Sequence, residues 1–96
     1  MKNPVFTPVV EKLDGTRVFQ GPIALPMAEA AAGAVINLLG HLDGSATSAE
    51  MSLIEIYLSE VRETVRTLPE EEYELGMGLV PLHVRDYLVT VELVVD

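Results

Sequence analysis

The sequence predicts a small α+β domain of two layers, with a β-hairpin, two helices and C-terminal antiparallel strands in the order ββαα(β)β. Three observations support this fold class: an Asp-Gly dipeptide between two segments rich in β-formers, two helical patterns with clear start and stop signals, and a final alternating segment. The 96 residues are enough for one modest hydrophobic core, so we expect a single domain over residues 1–96.

The first element is a predicted β-hairpin. Residues 5–13 and 16–25 are rich in Val, Phe and Ile, and Asp14-Gly15 separates them. This dipeptide favours a two-residue type I′ turn, because both central positions of that turn need positive φ. The turn would place Val10 opposite Phe19, and Lys12 opposite Arg17 as a cationic tip.

One face of this hairpin is predicted to face the core. With the register above, alternate apolar residues of both strands share that face. They are Phe6, Pro8, Val10, Phe19 and Ile23. Because Pro8 has no backbone N–H to donate, it favours an edge position in the sheet.

The first helix is predicted over residues 27–42, after Pro26 and before the stop signal Asp43-Gly44. At helical spacing this segment has no broad polar face, so it should be buried nearly all round. One sheet and one further helix can scarcely cover it in a chain of this size. We therefore expect a homo-oligomer whose interface uses Ala30, Gly33, Ala34 and Asn37.

The second helix begins with a capping-box pattern, in which Thr47 and Glu50 satisfy each other's backbone N–H groups. It should end near Leu68, because Pro69 follows. Its apolar residues step by three and four, which is typical of an amphipathic packing helix. They are Met51, Ile54, Leu58, Val61, Val65 and Leu68.

The C-terminal segment from Tyr87 to Val95 alternates and is predicted to be a core strand. Its core side would carry Tyr87, Val89, Val91, Leu93 and Val95. A further strand over residues 73–80 stays open, because Gly76 and Gly78 weaken an otherwise suitable pattern.

The charge balance bears on the class of partner. Fifteen acidic residues against six basic ones give a net charge of −9. This balance argues against direct binding to nucleic acid or to an anionic membrane, since both attract clustered Lys and Arg. A basic protein surface is the more natural partner.

The densest acidic cluster follows the second helix and comprises Glu70, Glu71, Glu72 and Glu74. We call it the acidic connector. It could receive a basic protein surface through long-range attraction, or it could be a solvated turn that keeps an apolar protein soluble. The leading hypothesis is a homo-oligomeric protein-interaction module that inhibits or adapts a basic partner.

An alternative site lies near the C-terminus. His83, Arg85 and Tyr87 alternate, so they would share one face if the last strand began early. Together they could hold an anionic metabolite or nucleotide at a subunit interface. In the competing interpretation Tyr87 packs in the core, and His83 and Arg85 lie beyond its rim.

Several classes of function lack sequence support. The absence of cysteine excludes disulfides and thiolate zinc sites, and the two histidines are not part of a metal-ligand pattern. We find no catalytic motif, so we expect neither an enzyme nor a cofactor. The N-terminus does not resemble a signal peptide and no segment suits a membrane span, so the expected location is the cytoplasm.

Overall fold

The computed structural model describes residues 5–21, 24–67 and 80–94 of the chain. It confirms the α+β fold class, with element order ββααββ. The elements are β1 (Phe6–Lys12), β2 (Arg17–Gln20), α1 (Met27–Leu42), α2 (Ser48–Thr67), β3 (Leu82–Val84) and β4 (Tyr87–Leu93). The four strands form one antiparallel sheet in the order β2-β1-β4-β3.

The hairpin is confirmed, but its predicted turn is wrong. Val10 does pair with Phe19, whereas Arg17 lies opposite Glu11 rather than Lys12. The connection is a three-residue loop closed by a hydrogen bond from the Lys12 N–H to the Thr16 carbonyl. Only Gly15 in this loop has positive φ, at 91°, which suits a three-residue hairpin and not a type I′ turn. The register shift removes Arg17 from the tip.

Pro8 lies in an interior strand, not at an edge, because β1 is paired on both sides. The missing N–H of Pro8 would leave the Gly21 carbonyl without its usual donor. The Thr7 hydroxyl donates to that carbonyl at 3.2 Å, and the Gly21 N–H donates to the Pro8 carbonyl at 2.9 Å. This local exchange allows a proline inside the sheet.

Helix α1 has the predicted bounds and packs on β1, β4 and α2. Pro26 stands at its N-cap, and Asp43 ends it in the left-handed conformation with φ 50°. The prediction that it is buried nearly all round is wrong for its outer side, where Ile36 is 70% exposed. Its inner side supplies the centre of the core, including the fully buried Leu38.

Helix α2 confirms the capping box in both directions. The Thr47 N–H donates to Glu50 Oε1 at 2.9 Å, and the Glu50 N–H donates to Thr47 Oγ1 at 3.1 Å. The helix packs against α1 and β3. Its core contribution is narrower than the sequence pattern predicts, since its buried residues are Ile54, Tyr57 and Val61.

The last strand confirms the predicted alternation. Tyr87, Val89, Val91 and Leu93 all lie in or against the core that the helices share. Of residues 73–80, only Val80 is described, and it is not part of a strand. Residues 73–79 lie outside the described residues. Among the described residues the fourth strand is β3, at Leu82–Val84, which a two-residue turn joins to β4.

Candidate functional site

The most densely bonded polar cluster in the described part of the chain surrounds Arg85, in the turn between β3 and β4. Its guanidinium binds the Glu50 carboxylate through two hydrogen bonds, from Nε at 2.7 Å and from Nη2 at 2.9 Å. It also donates to the Ser45 hydroxyl at 3.0 Å and to the Ser45 carbonyl at 2.9 Å. The sheet is thereby joined to the loop between the helices and to the start of α2.

Arg85 adopts a backbone conformation that side chains rarely adopt, with φ 53°. Such a conformation costs about 1–2 kcal/mol for a residue with a Cβ. The strand register requires a two-residue turn here, since Val84 pairs directly with Tyr87. The bidentate ion pair is the compensating contact that the arginine makes in this position.

The predicted anion site at His83, Arg85 and Tyr87 does not form in this geometry. His83 is exposed, and its Nε2 lies 2.8 Å from the Arg85 carbonyl oxygen. Tyr87 lies opposite Val84 on the core side and stacks on His41, with ring centroids 5.5 Å apart. The turn separates the three side chains, because the strand does not begin early.

The Arg85 ion pair changes the titration of Glu50. Hydrogen bonds from the Arg85 side chain and then from the Thr47 backbone lower the pKa of Glu50 to about 2, from an ordinary value of 4.5. The same contact raises the pKa of Arg85. The pair therefore stays charged through the neutral range and well into the acid range.

This lowered pKa predicts an acid-dependent loss of stability. Because Glu50 has a lower pKa in the folded chain than in the unfolded chain, its stabilisation is complete above pH 4.5 and is lost as the pH falls through about 2. Glu50→Gln keeps the capping geometry but removes the charge. We expect the variant to have a lower melting temperature than the wild type at about pH 6 and nearly the same melting temperature at about pH 2.

Thermal melts followed by circular dichroism would measure this difference. The matched control is Glu60→Gln, an exposed glutamate on the same helix with no arginine within ion-pair distance among the described residues. This control should not show a pH-dependent difference in melting temperature from the wild type. If Glu50→Gln lowered the melting temperature by the same amount at both pH values, the assignment of this stabilisation to the charge of Glu50 would be contradicted.

A second ion cluster lies on the sheet face away from the helices. Arg17 Nε lies 3.0 Å from Glu11 Oε1, and both of its terminal nitrogens donate to the Glu92 carboxylate. Val9 lies between these two glutamates in the register and is fully buried, although it faces away from the helices. The arginine thus bridges carboxylates from two different strands of the sheet.

The cations of the described residues are mostly neutralised within the chain. Arg17, Arg66 and Arg85 each have a carboxylate within ion-pair distance. Only Lys12 and Arg62 have none in this part of the chain. Four of the ten described carboxylates are used in these pairs, which leaves six without a basic partner among the described residues. The balance leaves an excess of negative charge.

The residues predicted for an oligomer interface divide into two groups. Ala30 and Ala34 are fully buried in the core of their own chain, so they are not available to a second subunit. Gly33 and Asn37 are half-buried, and Asn37 Oδ1 is buried without a hydrogen-bond partner among the described residues. The acidic connector of Glu70, Glu71, Glu72 and Glu74 lies outside the described residues.

The outer side of the helix layer exposes apolar side chains of both helices. A small open groove of about 140 Å³ runs between the helices and is lined by Ala28, Ala32, Leu58, Val61 and Arg62. On α2, the side chains of Met51 and Val65 are 37% and 44% exposed. The signal for this surface was present in the sequence, in the apolar residues that step by three and four, five of which lie in α2; the sixth, Leu68, lies outside the described residues.

Other kinds of site find no support in residues 5–21, 24–67 and 80–94. These residues contain no group of three or more His, Asp or Glu side chains placed to hold a metal ion. No helix among them is long and apolar enough to cross a membrane. The fold and contacts define a small α+β protein in which the ion pair of Arg85 with Glu50 joins the sheet to helix α2. The chain matches no protein-family model, no curated protein and no solved structure.

Proposed function

We propose that this chain is an acidic protein-interaction module that binds a basic protein surface and so inhibits or adapts that partner. The observation that carries the proposal is the charge balance of the described surface. Three of the four described arginines, Arg17, Arg66 and Arg85, are held by carboxylates of the same chain, while six carboxylates have no basic partner among the described residues. A net charge of −9 adds long-range attraction for a cationic surface.

The acidic connector is the segment that we expect to meet the partner. Glu70, Glu71, Glu72 and Glu74 bring four carboxylates into five residues. Their field would speed the encounter and favour basic over acidic proteins. The alternative of an anionic metabolite or nucleotide is less favoured, because the guanidinium of Arg85 already donates to Glu50 and Ser45.

The connector proposal predicts partner binding that depends on salt. The immobilised chain should capture basic proteins from a cell lysate at low salt and release them as the salt concentration rises. Changing Glu70, Glu71 and Glu72 together to Gln should weaken the affinity for an identified partner by about tenfold, measured by titration calorimetry.

A matched control changes three carboxylates elsewhere and keeps the same net charge. Asp14→Asn, Glu29→Gln and Glu60→Gln alter exposed residues on the hairpin loop, α1 and α2. If the control weakened binding as much as the connector variant, net charge rather than the connector would attract the partner. Partners that were not basic, or binding unaffected by salt, would contradict the proposal.

A further inference from the structure

Helix α2 has an apolar seam, one side of which is buried and the other largely exposed among the described residues. Ile54 and Val61 are buried, at 2% and 1% exposure, and point into the core. Met51, Leu58 and Val65 form a parallel line, spaced by seven residues along the same side of the helix. Leu58 is half-buried, and the outer two residues are exposed. The solvent-facing line thus resembles the second half of a coiled-coil seam.

Helix α1 extends this apolar surface. Ala32 lines the groove between the helices together with Leu58. Ile36 lies one helical turn beyond Ala32 on the same side of α1, and its side chain is 70% exposed. We call Met51, Leu58, Val65 and Ile36 together the helix seam. Both helices contribute to the helix seam, which lies on the side of the helix layer that faces away from the sheet.

Two opposite charges flank the seam at equivalent places. Glu55 lies four residues after Met51 and three before Leu58, and Arg62 lies four after Leu58 and three before Val65. Both side chains are exposed. Neither has an opposite charge within ion-pair distance among the described residues. They are too far apart on one helix, at about 10 Å of rise, to pair with each other.

This spacing is self-complementary about Leu58. If a second copy lies antiparallel along α2 with a two-fold axis at Leu58, Met51 of each copy meets Val65 of the other. In the same register, Glu55 of each copy lies opposite position 61 of the other, one residue and about 1.5 Å of rise from Arg62. Both side chains lie on the same flank of the interface, so the ion pair forms twice. A parallel two-fold pair would instead place the Glu55 and Arg62 flanks of the two helices on opposite sides of the interface, so neither ion pair would form.

We propose that the helix seam is the docking surface for a second copy of this chain, packed antiparallel through α2. The occupant follows from the charge complementarity and from the symmetric spacing about Leu58. The proposal differs from an interface on Ala30 and Ala34, which their own chain already covers. It goes beyond the proposed binding of a basic protein and does not depend on it, because the two surfaces use different residues.

Sedimentation velocity of the full chain, from about 1 µM to about 1 mM, tests the proposal. We expect a monomer–dimer equilibrium. Glu55→Arg or Arg62→Glu alone should raise the dimer dissociation constant by about tenfold or more, because each creates two like-charge contacts. The double variant Glu55→Arg with Arg62→Glu should restore the wild-type constant, since the swapped charges face each other again.

The matched control is Glu60→Arg, which makes the same charge change on the other side of α2 and should leave the dimer intact. Met51→Glu should weaken the dimer, whereas Leu53→Glu, at an exposed position off the seam, should not. Circular dichroism of each variant separates loss of association from loss of folding.

A wild-type chain that stays monomeric over the whole concentration range would overturn the proposal. A dimer that neither single charge variant weakens, or that the double variant does not restore, would place the interface elsewhere and would also overturn it. Binding of a basic partner by a monomeric seam variant would leave the proposed function standing, so the two proposals fail separately.

Discussion

Leu38→Ala is expected to lower the free energy of unfolding by about 3 kcal/mol. Leu38 is fully buried at the centre of α1, in the core that this helix forms with the sheet and α2. Removing its isobutyl group loses transfer free energy and leaves a cavity that rigid neighbours on three elements cannot fill. A domain of this size has a total stability of about 5–15 kcal/mol, so the loss is a large fraction.

Urea denaturation followed by circular dichroism would measure this loss as a lower midpoint with an unchanged slope. Leu53→Ala is the matched control, because the same side chain is 47% exposed on α2. It should change the free energy of unfolding by less than about 0.5 kcal/mol. If Leu38→Ala lowered the free energy of unfolding no more than this control did, the described packing of α1 on the sheet would be contradicted.

Gly21→Ala is expected to cost about 1–3 kcal/mol, through overpacking rather than cavity formation. A Cβ atom at Gly21 would lie 2.5 Å from Cγ and 2.7 Å from Cδ of Pro8. Both atoms belong to a ring that is closed onto the backbone of β1, so they cannot rotate away. The sheet would have to separate at the point where the Pro8 carbonyl accepts the Gly21 N–H.

Two comparisons isolate this clash. Gly40→Ala adds a methyl group with no atom within 4 Å, and it should stabilise α1 by about 0.5–1 kcal/mol through helix propensity. Pro8→Ala removes the ring, so Gly21→Ala should cost less in that background in a double-mutant cycle. Equal costs of Gly21→Ala with and without the ring would contradict the close approach of these two residues.

Local sequence signals predicted the helices well because their causes lie within a few residues. The capping box of Thr47 and Glu50 needs only the first turn of α2. The end of α1 at Asp43 depends on a residue that tolerates the left-handed conformation. The alternation of the last strand identified its core face for the same reason, since neighbouring residues of a strand point to opposite faces.

Turn geometry was less predictable, and the error affected the candidate sites. Asp14-Gly15 suits a type I′ turn, but the longer loop keeps only Gly15 at positive φ and shifts Arg17 opposite Glu11. The single-residue shift moved Arg17 from a cationic tip to the open sheet face. Likewise, the turn after Val84 places His83 and Tyr87 on opposite faces of the sheet and Arg85 in the turn itself, so the alternation of the three residues does not produce a shared face.

The sequence by itself determined the fold class, the bounds of α1, the start of α2, the core face of the last strand and the excess of negative charge. The tertiary structure alone decided which charges meet. Arg85 and Glu50 are 35 residues apart, and Arg17 and Glu92 are 75 apart. Their contacts depend on the strand register and on the packing of α2 against the sheet, which no local pattern encodes. The same packing decided which half of the α2 seam is buried, because burial depends on how neighbouring elements cover the helix and not on its own periodicity.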